Sequence, residues 1–178
     1  MEDPSTTLDA AFWITGGVIL GLLVMSGFFS GSETALTAAS RGKLRAQADR
    51  GSVGARRALN ITEDNERLIG SVLLGNNLVN ILATSLATAI FTRAFGESGV
   101  ALATLVMTLL VLIFAEVLPK TYAISNAETA ASMVSRPIGF VVTIFAPIVS
   151  AVRLLVRGVL RIFGVQIDPD SHIMAVRE

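Results

Sequence analysis

The stretch Val100–Tyr122, VALATLVMTLLVLIFAEVLPKTY, decides the class of this chain. Residues 100–115 carry no charge, and the run then meets Glu116, Pro119 and Lys120 before it ends. A segment this apolar crosses a bilayer, and a carboxylate well inside it is costly unless it is paired, protonated or bound to a cation. Lys120 lies four residues on and could be its partner in an internal salt bridge, a reading against which Pro119 stands. Pro119 adds a second feature. It has no N–H to give to the carbonyl of Ala115, so that oxygen loses its usual helical partner. A carboxylate beside a freed main-chain carbonyl is a half-site for an oxygen-loving ion.

The rest of the chain agrees with a membrane setting. Of its 178 residues 52% are hydrophobic and only 16% charged, a balance no soluble domain of this length requires. Cysteine is absent, which removes disulfides and thiolate metal sites. The single histidine, His172, lies beyond every apolar segment, so zinc, copper or iron chemistry inside the membrane is disfavoured. An intramembrane cation would have to be held by oxygen.

Charge is unevenly spread. Residues 1–9 carry only acids, whereas residues 41–67 hold Arg41, Lys43, Arg45, Arg50, Arg56, Arg57 and Arg67. The turn near Gly96 has only Arg93 and Glu97, and basic residues return after residue 119. Basic loops stay in the cytoplasm, which predicts the N-terminus outside, 41–67 inside, the Gly96 tip outside and the C-terminus inside. Nucleic-acid binding would also want basic residues, but 41–67 lacks the aromatic platforms that stack bases. No nucleic-acid partner is expected; membrane lipid is.

This alternation requires an odd number of spans, and three fit best, at about residues 10–40, 67–93 and 99–123, after an extracytoplasmic segment 1–9. The acidic start and long apolar core of the first span argue against a cleaved signal peptide. The second charge-free run, 68–92, reaches roughly 37 Å as a helix, enough to cross with some tilt. Residues 41–66 read as short helices on the cytoplasmic surface. Residues 137–152 make a fourth apolar run of about 24 Å, short of the roughly 30 Å hydrocarbon core. Arg153, Arg157 and Arg161 then line one face at i, i+4, i+8, the mark of a helix lying in the interface over 137–164. The expected fold is therefore all-α and integral to the membrane: three transmembrane helices per subunit, with amphipathic juxtamembrane helices forming a cytoplasmic-side belt. Residues 166–178 read as a cytosolic linker.

Two further polar clusters interrupt the apolar runs. In Ser26–Glu33 (SGFFSGSE), Ser26 and Ser30 stack on one helical face, with Glu33 on nearly the same side and near the membrane boundary. Gly27 and Gly31 repeat the four-residue spacing, so the stretch also reads as a close-packing motif. In Asn76–Asn80 (NNLVN), Asn76 and Asn80 share a face and Asn77 stands beside them. Asparagine supplies a neutral carbonyl oxygen, suited to a hard cation; one alone would serve interhelical hydrogen bonding, but three within five residues favour a site. Hydroxyls, amides, a carboxylate and loosened carbonyls suit Mg²⁺, Ca²⁺, Mn²⁺ or Na⁺, and composition does not choose among them.

The motifs FFSGSETAL, LLGNNLVN and AEVLPKTYA, in this order and spacing, resemble the transmembrane domain of the CorC and cyclin M (CNNM) family of magnesium transporters over roughly residues 10–165. The resemblance implies a homodimer that exports Mg²⁺, the bound substrate ion, with inward Na⁺ as the coupled ion. It also implies that Ser26, Ser30, Asn76, Asn80 and Glu116 hold the metal. Gly27, Asn77, Ala115 and Ala123 are secondary candidates. Relatives of this kind continue into cytosolic CBS modules that bind ATP, a region this chain does not include, so ATP is expected to act only through such a region.

No enzyme is expected, since the membrane segments offer no histidine, no cysteine and no serine with a visible base. The rival to transport is a cation-binding membrane anchor or sensor that regulates another transporter.

Overall fold

The computed structural model describes residues 4–165 and is entirely helical over them apart from short turns. The first rod, α1, runs Pro4–Ala38. Two short helices come next, α2 at Arg41–Asp49 and α3 at Val53–Glu63, joined through Gly51 at φ +98°, a left-handed turn that glycine takes without strain. Helix α3 starts at Ser52, whose side chain accepts a hydrogen bond from the Ala55 N–H. Asp64 caps α4, Asn65–Phe95, in the same way through the Arg67 N–H. Gly96, at φ +69°, turns the chain into the third rod. That rod comprises α5 (Ser98–Leu110), a π-helical segment (Val111–Val117) and α6 (Leu118–Ser125). The last element, α7, is one helix from Ala127 to Ile162.

Among the described residues four helices are long and apolar enough to cross a membrane: Ala10–Ala38 within α1, α4, the third rod, and α7. The first three cover the expected spans 10–40, 67–93 and 99–123 to within a few residues. The helix expected over 137–164 begins ten residues earlier, at Ala127, and both Pro137 and Pro147 lie inside it. Pro137 is therefore no boundary. Proline already holds a helical φ, and its main cost is one lost backbone hydrogen bond and a clash with the preceding turn, tolerable in a supported helix. At 36 residues, α7 is about 54 Å long. His172 and the expected linker 166–178 lie outside the described residues.

The path of α7 is set by what it touches. Near its start, Glu128 Oε1 accepts the Ser40 N–H at 3.4 Å and pairs with Lys43 Nζ at 3.5 Å. Further on, the Ser132 carbonyl abuts Gly54 of α3 and Gly139 faces Ile61. Arg153 then pairs with Asp64 at 3.4 Å and with Glu66 at 3.6 Å, at the entrance to α4. Helix α7 therefore runs along the whole connection between α1 and α4.

Two apolar clusters hold the rods together. One, with Phe29, Leu36, Leu44, Leu68, Val72 and Ile138, joins α1 and α4 to the short helices and α7. The other, with Ile19, Leu23, Ala83, Ala87 and Met107, joins α1, α4 and α5. Within the bilayer these clusters act through close packing, since lipid is as apolar as the side chains and supplies no hydrophobic driving force between helices. A polar layer of Ser26, Ser30, Asn76 and Asn80 lies where the first cluster approaches the second along α1 and α4.

Candidate functional site

Glu116 stands at the centre of this layer. It sits in the π-helical segment, where the Leu118 N–H reaches back five residues to the Ile113 carbonyl. Pro119 comes immediately after and offers no N–H to Ala115, so the α-helical ladder is already broken one turn on, and the widened turn precedes that gap. Widening a turn by one residue rotates the residues beyond it about the helix axis, so the orientation of Glu116 departs from that of a continuous α-helix.

Helix α1 approaches this turn through its glycines. A Cβ on Gly27 would lie 3.1 Å from the Pro119 ring and 3.2 Å from the Phe114 carbonyl oxygen; on Gly31 it would lie 3.2 Å from Pro119 Cβ. Glycine at these two positions lets the rods close until the neighbouring serines reach across. Both serines are fully buried.

The contacts form one network. Ser26 Oγ donates to Asn76 Oδ1 at 2.6 Å, and Ser30 Oγ donates to Glu116 Oε2 at 3.2 Å. Asn76 Nδ2 donates to Glu116 Oε1 at 3.3 Å, and Asn80 Nδ2 donates to Asn76 Oδ1 at 3.4 Å. Lys120 Nζ lies 3.1 Å from Glu116 Oε2, forming the internal ion pair that the spacing allowed. Asn80 Oδ1 is buried without a hydrogen-bond partner among the described residues, an unused acceptor at the edge of the network. Six side-chain oxygens, two hydroxyl, two amide and two carboxylate, thus belong to residues of one network drawn from three rods. Among the described residues there is no group of three or more His, Cys, Asp or Glu side chains able to hold a metal. Neutral oxygens with one carboxylate fit a hard ion such as Mg²⁺, and do not fit a soft metal.

All five primary candidates, Ser26, Ser30, Asn76, Asn80 and Glu116, are therefore brought together. The secondary candidates divide. Gly27 and Ala115 meet where α1 crosses the π turn, and Ala123 is buried one turn beyond Pro119. Asn77 is exposed on another face of α4. It lines a separate groove with Leu73, Leu74, Val152 and Arg157, because one residue along a helix is a rotation of about 100°. Glu33 is half-buried outside the network. The Ser32 and Ser71 hydroxyls are also buried without partners among the described residues, and sequence reasoning does not find them, since a serine gives no local signal of where its hydroxyl will be trapped.

A groove of ≈520 Å³ opens from Glu116 between α4 and the third rod, walled by Asn80, Thr84, Thr108, Ile81 and Leu112. Its threonines satisfy their own protons in the helix, Thr84 on the Asn80 carbonyl at 2.8 Å and Thr108 on the Thr104 carbonyl at 2.6 Å. Their oxygens keep lone pairs free to accept. The Glu116 side chain is 29% exposed, so the network is open on one side.

Comparison with known proteins shows the family. Residues 17–178 match the cyclin M transmembrane N-terminal domain. The chain is 34% identical over 161 residues to a UPF0053 protein of Haemophilus influenzae, covering 90% of this chain and 38% of that protein. It is 41% identical over 144 residues to the UPF0053 inner membrane protein YfjD of Escherichia coli, covering 81% of this chain and 34% of that one. With the polyamine export protein of Escherichia coli it shares 30% identity over 159 residues, 82% of this chain and 36% of the relative. The chain thus spans little more than a third of the length of these relatives. With its all-helical fold and a match over nearly its whole length, this chain belongs to the cyclin M (CNNM) transmembrane domain family.

Proposed function

We propose that this membrane domain carries a hard divalent cation, Mg²⁺, out of the cytoplasm through the oxygen cluster around Glu116. The observation that carries the reading is the joining of Ser26, Ser30, Asn76, Asn80 and Glu116, from three separate rods, in one hydrogen-bonded network. Six oxygens match the octahedral demand of Mg²⁺, and a single carboxylate leaves the bound ion only partly neutralised, which favours its release. Inward Na⁺ is the proposed coupled ion.

The proposed topology is three spans with α7 as a belt. It is supported by the contacts of α7 with Ser40, Lys43, Gly54, Ile61, Asp64 and Glu66, all in or bordering the connection between the first two spans. A helix of about 54 Å held at residues 128 and 153 to the same connection lies along one membrane face. The basic residues of 41–67 put that face in the cytoplasm and the N-terminus opposite. The inner membrane named for the YfjD relative is the proposed location. Exposed Leu73, Leu78, Ile81, Leu105 and Leu109 on α4 and α5 supply an apolar surface for lipid and for a second copy in a homodimer.

A second reading takes an organic polycation as the cargo. Two relatives bear the name polyamine export protein, and Lys120 demonstrates that a primary ammonium fits Glu116 at 3.1 Å. The adjoining groove, with Ile81, Met107 and Leu112 beside threonine oxygens, suits a methylene chain.

Flux from vesicles containing the purified chain separates these readings. Mg²⁺ release above protein-free vesicles, lost in Glu116→Gln, supports the first; spermidine release with no Mg²⁺ release supports the second. Binding without net flux of either defeats transport and leaves the anchor or sensor role.

A further inference from the structure

We infer that Lys120 is a tethered counter-cation: its ammonium holds Glu116 when the site carries no cargo, and an arriving cation must displace it. The inference rests on the reading of Glu116 as the cation site and goes beyond it by assigning the residue that sets the site's affinity.

Every group now bonded to Glu116 presents a hydrogen. Oε2 receives the Lys120 ammonium and the Ser30 hydroxyl, and Oε1 receives the Asn76 amide. The orientation of Asn76 has a chemical cause: its carbonyl turned toward an ionised carboxylate would set two acceptors against each other. A metal ion needs the reverse arrangement, with lone pairs inward from serine and asparagine. Hydrogen-bond donors surround the carboxylate in this geometry, and Lys120 supplies the positive charge among them.

Lys120 is also built to leave. Its side chain is 45% exposed, on a flexible stem that can swing off Glu116 without moving the helix. Held four residues from Glu116, the ammonium competes at high effective concentration. A carboxylate left bare in an apolar span is costly, and Lys120 removes that cost in the empty state. The exchange keeps Glu116 compensated both with and without cargo.

Two charge variants test this with purified protein, using Mg²⁺ alone as the probe in calorimetry. Lys120→Met removes the competitor and is expected to bind Mg²⁺ about tenfold more tightly than the parent. Lys120→Arg, whose guanidinium grips a carboxylate with two bonds, is expected to bind more weakly. A residue needed only for packing or folding would lower affinity in both. Displacement itself is visible because the chain has lysines only at 43 and 120. In a Lys43→Arg background, ¹³C-methylated Lys120 is the single lysine signal. It should move saturably as Mg²⁺ is added, and Glu116→Gln should abolish the movement. If calorimetry shows Mg²⁺ bound to the parent while the Lys120 signal stays still, or if Lys120→Met binds no tighter, the counter-cation role is overturned and the cation site stands. If neither the parent nor any variant binds Mg²⁺, the cation site falls, and this inference with it.

Discussion

Placing the same substitution at two positions of one helix should give opposite signs. At Gly21 an added methyl meets nothing within 4 Å, so Gly21→Ala gains only the helical preference of alanine, about 0.5–1 kcal/mol. At Gly27 the methyl would lie 3.1 Å from Pro119 Cγ and 3.2 Å from the Phe114 carbonyl. One neighbour is a rigid ring and the other is backbone, so neither can swing away and the rods must separate by a few tenths of an ångström. Overpacking of this kind costs about 1–3 kcal/mol. Subtracting the same helical gain leaves Gly27→Ala destabilised by roughly 0–2.5 kcal/mol. The separation also draws Ser30 from Glu116, already at 3.2 Å, so cation affinity should fall with stability. Reversible denaturant unfolding in micelles reads the first effect and calorimetry the second. Equal stability changes in the two variants would refute the claim that the Gly27 seam sets the approach of α1 to the π turn.

Three further outcomes are expected. Glu116→Gln should lower Mg²⁺ affinity at least about a hundredfold, since the only carboxylate of the cluster is lost, whereas Asn77→Ala should leave a binding isotherm unchanged because Asn77 faces another groove. Gly54→Ala should destabilise more than Gly27→Ala in the same unfolding assay, because its methyl would lie 2.7 Å from the Ser132 carbonyl oxygen and push α3 off α7. The absence of cysteine makes single-cysteine labelling clean: Arg57→Cys and Gly158→Cys should react with an impermeant thiol reagent from one face of sealed vesicles and Glu97→Cys from the other. Labelling of Gly158→Cys from the Glu97 face would require α7 to cross.

Much of the site is legible in the sequence because helical periodicity is local. Ser26 with Ser30, and Asn76 with Asn80, fall on common faces by spacing alone, and Glu116 is conspicuous because apolar surroundings make a carboxylate expensive. The same periodicity cannot rank Asn77, one residue from Asn76, since a helix turns polar neighbours to different faces and only packing decides which face meets another rod. The start of α7 escapes the sequence for a related reason: proline is compatible with a helix when its surroundings compensate, and those surroundings are distant in the chain.

Taken by itself, the sequence determined the apolar segments, their lengths, the asymmetry of charge and the identity of the oxygen donors. These depend on composition and spacing within single elements. Tertiary structure decided the π-helical turn at Glu116, the isolation of Asn77 and the course of α7 along the connection from Ser40 to Glu66. Each of these rests on contacts between residues far apart in the chain or on alternatives of similar local energy, and close packing of the rods selects among them.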